Sequence, residues 1–178
     1  MIRPFRGHSP LPAARGFTML ELMVVVAILA ILAALAGPSM VPVIERWRVR
    51  QAAEEMMATI AFARSEAIKR GGNVSVARST PGTDQCALPT DVADWRCGWT
   101  VLDGTDPLRV SPPTNGVSVT NANVSGASFV LSRWGELTGG GTLTFVIAST
   151  RNGSTVRTAL CMGGGGAVRT KTGVSTCS

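Results

Sequence analysis

From Leu22 to Ile44 the chain carries no charged residue. An uncharged run of that length must be covered by lipid or by other helices, and about 20 apolar residues are enough to cross a hydrocarbon core of roughly 30 Å. What precedes the run is equally constraining. Arg15-Gly16-Phe17-Thr18-Met19-Leu20-Glu21 places a basic residue, a Gly-Phe junction and one lone acid at its edge. A carboxylate in that position is costly unless it reaches the interface or a partner. Glu21 lies about one helical turn past Phe17, so the two share a helix face, and a free amino group at Phe17 is a natural partner for the acid, within one subunit or between neighbours.

Residues 1–16 are basic and broken by proline and glycine, and they read as a leader. Secretory signal peptides are cut after their apolar region. Here the distinctive Gly16–Phe17 junction precedes it, and Ala33-Ala34-Leu35-Ala36 is the competing signal-peptidase reading. Positive charge ahead of the run keeps the leader cytoplasmic and sends the C-terminal bulk outside. The 178-residue chain has a formal charge of +6, and three of its positives, Arg3, Arg6 and Arg15, belong to the leader. Without them fourteen Lys/Arg face eleven Asp/Glu. That mild excess points only weakly to nucleic acid.

Gly37-Pro38 interrupts the run. Proline inside a helix removes a backbone hydrogen bond and bends it, so one helix kinked near Pro38 is expected rather than two. Beyond Ile44, Val49, Ala53, Met56 or Met57, Ile60, Ala63 and Ala67 recur at helical spacing among charges up to Arg70. This amphipathic half continues the helix to about 80 Å at 1.5 Å per residue, and Gly71-Gly72 ends it. From Asn73 the period becomes two. Candidate strands are 74–78, 98–102, 108–111, 116–120, 128–132, 142–148, 155–160 and 167–170, separated by Gly, Pro, Asn and Asp. The expected class is α+β: a long N-terminal α-helix whose apolar stripe packs on an antiparallel β-sheet or small sandwich. The domain plan is a leader at 1–16, an apolar half-helix at 17–44, an amphipathic half at 45–70 and a β-rich globular domain at 71–178.

Cys86, Cys97, Cys161 and Cys177 all follow the apolar run, and the only histidine, His8, lies in the leader. That excludes an ordinary zinc site and suits disulfides in an oxidising compartment. Two local couples favour Cys86–Cys97 and Cys161–Cys177, one of three connectivities that four cysteines allow. There is no tyrosine, no histidine beyond the leader and no catalytic constellation. Asp84, Asp91, Asp94, Asp103 and Asp106 lack a calcium-loop spacing and read as polar loops. No enzyme, metal or cofactor is expected. Gly163–Gly166 lacks the Lys-Ser/Thr of a phosphate loop and reads as a flexible turn. Trp99 is expected in the core, and Trp47 as an interfacial anchor. Glu66 should pair on the helix surface with its basic neighbours.

Gly16-Phe17-Thr18-Met19-Leu20-Glu21-Leu22 and the run that follows resemble the type IV prepilin signal. The resemblance implies a type IV pilin-like fold, cleavage after Gly16 by a prepilin peptidase, methylation of the new N-terminus at Phe17, an assembly contact at Glu21 and a helix break at Pro38. Ala63-Arg64-Ser65-Glu66-Ala67 and Trp95-Arg96-Cys97-Gly98-Trp99 further resemble the GspH/FimT family of minor pilins and pseudopilins. The implied partners are other pilins or pseudopilins and an inner-membrane assembly platform. The implied location is the inner membrane, single-pass with a periplasmic C-terminal domain, and then a pilus or pseudopilus. The type IV pilus branch is favoured, with a type II secretion pseudopilin as the alternative. Some FimT-like proteins bind DNA through a Gly-Arg-x-Arg-x-x-Arg loop. The matching stretch, Gly166–Thr172, keeps Arg169, with Lys171 nearby, but has Ala167 and Thr172 in place of the outer arginines.

Overall fold

A computed structural model describes residues 16–79, 91–122 and 126–177, with the side chains of residues 35–39 excepted. It opens on one helix, α1 (Met19–Arg70). The Thr18 hydroxyl accepts the Glu21 N–H at 3.2 Å, satisfying one of the orphan donors of the first turn. At the other end the Gly72 N–H reaches the Ala67 carbonyl at 2.8 Å, and Gly71 takes a left-handed φ of 82°. That six-to-one closure explains why the helix stops at a glycine pair. The bend expected at Pro38 falls in the segment whose side chains lie outside the described residues.

Compact packing divides the chain into two units, at Met40 and Val41. In the first, the described apolar side chains from Phe17 to Leu32 are exposed along the helix. Among the described residues no helix is long and apolar enough to cross a membrane. The uncharged run includes residues 35–39, which lie outside that description.

The second unit carries the described strands. They are β1 (Val74–Arg78), β2 (Trp99–Asp103), β3 (Asp106–Ser111), β4 (Val117–Asn121), β5 (Ser128–Leu131), β6 (Leu143–Ser149), β7 (Arg157–Met162) and β8 (Val168–Thr172). Each coincides with a strand expected from the period-two pattern, shifted by at most a residue or two at most ends. They form two four-stranded antiparallel sheets, ordered β3-β2-β1-β5 and β4-β6-β7-β8. Alternation sets the inward faces: Val74 and Val76 of β1, Trp99 and Val101 of β2, and Val117 and Val119 of β4 are buried.

These side chains share one core with Val49, Ala53, Met56, Ile60, Ala63 and Ala67 of α1. Met56 is the fully buried member of the Met56/Met57 pair, and Met57 packs at the edge. Ala52 and Thr59 are also buried, widening the stripe beyond the residues that the spacing picked out. Small residues at 52, 53, 63 and 67 let the sheets come close to the helix axis. Each larger one, such as Ile60, contributes about 1.5–3 kcal/mol by leaving water.

The Trp-x-x-Gly-Trp segment has a physical explanation. Trp95 is fully buried, 5.1 Å from the Phe145 ring and 6.1 Å from the Phe129 ring. Its backbone N–H is tied to the Val119 carbonyl at 2.8 Å. Gly98 has a φ of 89°, and a Cβ there would collide with the Ser111 carbonyl on the neighbouring strand. Trp99 then turns inward, and its indole N–H donates to the Thr59 hydroxyl of α1 at 3.0 Å. One tryptophan centres the aromatic core, the glycine permits the close turn, and the second tryptophan registers the sheet on the helix. Trp99 thus lies in the core, as expected.

Cys161 of β7 is joined to Cys177, which anchors the tail beyond β8. Cys97 is disulfide-bonded as well. Its expected partner Cys86 lies outside the described residues, as does Asp84.

Candidate functional site

At the N-terminal end, Phe17 is 81% exposed and the side chain of Glu21 is exposed one turn later. Among the described residues nothing lies within 4 Å of where a Cβ on Gly16 would stand. The pattern Thr18-x-x-Glu21 is a capping-box sequence. Glu21 therefore sits at the third helical position, where the positive end of the helix dipole favours a carboxylate. Thr18 gains a capping role that the apolar patterning does not mark but the Thr18-x-x-Glu21 spacing does.

In the second unit the helix is tied to the sheets by polar contacts at three levels. At its foot, Glu45 accepts from the Ser154 hydroxyl at 2.6 Å and from the Arg151 guanidinium at 2.9 Å. The Ser154 bond, then Arg151, hold the Glu45 carboxyl below its ordinary value. Midway, Glu55 accepts from Arg109 at 2.9 Å and from the Ser111 hydroxyl at 2.8 Å. Ser111 meets the buried Thr59 hydroxyl at 3.2 Å. Near the top, Arg64 donates from Nε to the Gly135 carbonyl at 2.9 Å and from Nη1 to the Gly166 carbonyl at 2.7 Å.

Gly163–Gly166 forms the expected turn, closed by the Gly166 N–H on the Gly163 carbonyl at 2.8 Å, and Arg64 ties it to α1. A Cβ on Gly166, at φ 79°, would strike the Gly135 carbonyl and the Arg64 guanidinium. The glycine is there for close packing under an arginine staple. Glu66 pairs with Arg70 at 2.7 Å and Lys69 at 3.6 Å as expected, and Arg70 also reaches Asp103 at 2.6 Å. The Arg70 hydrogen bond is the main reason the Glu66 carboxyl also lies below its ordinary value.

Both carboxyls have folded values depressed relative to the unfolded chain. Their contributions are complete above the ordinary carboxylate range and are lost as pH falls through the folded values. Acidification below about pH 4.5 should therefore loosen the second unit. Glu45→Gln should flatten this acid limb, as measured by thermal unfolding of the full chain in detergent across that range.

The basic candidates lie on β8. Arg169 pairs in register with Cys161, and Lys171 with Ala159. Both are exposed, and Lys171 Nζ donates to the Cys177 carbonyl at 3.5 Å. Trp134 is 72% exposed, and the Arg133 guanidinium stands 5.9 Å over its ring. Trp47 is 62% exposed, consistent with an outward-facing anchor. Among the acids, Asp94 is held by Arg96 through Nε at 2.6 Å, and Asp103 by Arg70. Among the described residues no cluster of three or more His, Cys, Asp or Glu is placed to hold a metal.

A long helix with an N-terminal methylation signal, its distal half buried against antiparallel sheets, defines a type IV pilin-like protein. The family described as "Type II transport protein GspH" matches residues 52–166, and the prokaryotic N-terminal methylation motif matches residues 11–37. The chain belongs to the GspH/FimT family of minor pilins and pseudopilins.

Two crystal structures of the Pseudomonas aeruginosa (PAO1) type IV minor pilin FimU share the fold. The P65 form is 23% identical with a TM-score of 0.54, covering 72% of this chain and 98% of FimU. The P21 form is 22% identical with a TM-score of 0.57, covering 75% and 96%. No curated protein matches the chain.

Proposed function

We propose that this is a minor pilin that helps to initiate or cap a type IV pilus. The precursor sits in the inner membrane through the helix at 17–44, with the domain at 71–178 in the periplasm. A prepilin peptidase removes residues 1–16 and methylates Phe17. The membrane assembly platform then draws the protein into the fibre, where Glu21 pairs with the N-terminus of a neighbouring pilin. The carrying observation is the Gly16-Phe17…Glu21 signal, matched over residues 11–37, with Thr18 capping a helix that begins at Met19. Intact mass of protein recovered from cells tests it. Mature protein should begin at methylated Phe17, and a chain retaining residues 1–16, or cut near Ala36, would refute the reading.

The family description itself favours a second reading, a minor pseudopilin of a type II secretion system. Its partners would then be other pseudopilins and exported proteins. The two separate by fractionation: a pilus component co-purifies with sheared surface pili, whereas a pseudopilin stays with the cell envelope.

DNA contact by the pilus form is supported by the exposed Arg169 and Lys171, and by the Arg133–Trp134 pair, since aromatic rings beside cations suit single strands. A mobility shift with the full chain in detergent should be present at low salt and lost at high salt. It should weaken in Arg169→Ala/Lys171→Ala, and an unchanged shift in that variant would remove these residues from the reading.

A further inference from the structure

A groove of about 590 Å³ runs between the first turns of α1 in the second unit and the β7–β8 side of the sheet. Its rim carries Arg46 and Arg50, one helical turn apart, and Arg157 from the start of β7. Met57 and Val156 are half-buried along it, Val49 and Ala53 lie beneath as part of the core, and Thr170 and Thr172 bring hydroxyl-bearing side chains from β8. Glu54 is the only acid in the lining. Arg151 is engaged by Glu45, Arg64 by carbonyls and Arg70 by Glu66 and Asp103. Among the described residues Arg46, Arg50 and Arg157 make no such bonds. Three arginines lining one groove, with no acceptor among the described residues, suit an anionic ligand.

The position of the groove narrows the choice. Arg46 follows the last residue of the uncharged run, Ile44, by two positions, and the exposed Trp47 comes next. A tryptophan and arginines at that level belong at a headgroup interface. We infer that this groove binds the phosphate of an anionic membrane phospholipid. The lipid would hold the precursor's globular unit at the bilayer surface until filament entry strips it away. This inference rests on the membrane reading of residues 22–44.

The test is native mass spectrometry of the full-length chain released from dodecyl maltoside micelles, supplied with phosphatidylglycerol, phosphatidylcholine or inorganic phosphate. One phosphatidylglycerol should be retained about tenfold more than phosphatidylcholine. Excess inorganic phosphate should fail to displace it. Retention should fall to the phosphatidylcholine level in Arg46→Gln/Arg50→Gln/Arg157→Gln and persist in Arg133→Gln/Arg169→Gln. Equal retention of the two lipids by the unaltered chain would overturn the proposal whether or not the triple variant folds. So would full displacement by phosphate, or undiminished retention in a folded triple variant. Flotation with purely zwitterionic vesicles separates the two readings. A chain that does not float refutes the membrane anchor, whereas one that floats without headgroup selectivity refutes the groove alone.

Discussion

Glu21→Ala is expected to leave the globular unit folded and the leader removable, while cutting incorporation into the filament by about two orders of magnitude. In the proposed fibre, the charged N-terminus at Phe17 must enter an apolar bundle of helices. Removing one member of a buried ion pair costs about 3–5 kcal/mol, because the other is left without compensation. Each 1.4 kcal/mol is a factor of ten, so a subunit lacking the acid loses the competition for its place. The Thr18 cap uses the backbone N–H of residue 21, not its carboxylate, so alanine leaves that bond in place. Quantitative immunoblotting of sheared filaments against whole cells reads the effect. Alanine subunits present in filaments at the unaltered level would show that Glu21 is not the assembly contact.

The second large effect belongs to the core. Trp95→Ala is expected to destabilise the second unit by about 3–5 kcal/mol. That should lower its thermal midpoint by roughly 10 °C or more. Trp95 is wholly buried between Phe129 and Phe145 and joins an aromatic cluster contributed by both sheets. Its loss leaves a cavity that backbone ties on both sides prevent from closing. Among the described residues the indole N–H of Trp95 meets no hydrogen-bond partner. Trp95→Phe should therefore cost much less than alanine, since it keeps a ring and removes an unpaired polar group. Thermal unfolding followed by far-UV circular dichroism ranks the two variants. Equal losses would mean that ring packing is not what Trp95 contributes.

Much of the architecture was legible because its signals are local. The apolar run, the switch from a 3.6-residue to a two-residue period at Asn73 and the Gly71-Gly72 stop all follow from residues close together in the chain. The eight strands appear where alternation and turn residues placed them. The division into two sheets was less legible, because alternation shows that a strand has an inner face without showing which strands share a sheet. Trp99 was readable as core, but its bond to Thr59 was not, since forty positions separate them. The Arg64 staple gave no signal at all. Its acceptors are backbone carbonyls, which every residue possesses, so no side-chain pattern marks them.

The N-terminal features are local in the chain: the Gly16–Phe17 junction, the lone Glu21 beside an uncharged run and the capping spacing through Thr18. In the proposed reading a protease and a neighbouring helix would meet these features as a linear string. Which cations find internal acceptors depends on contacts between distant residues. Arg64, Arg70, Arg109 and Arg151 are engaged by carbonyls or carboxylates far away in the chain. Arg46, Arg50 and Arg157 come together around one groove. Charge along a sequence says only how many positives there are; folding, by bringing some of them to internal acceptors, leaves the rest to meet something outside.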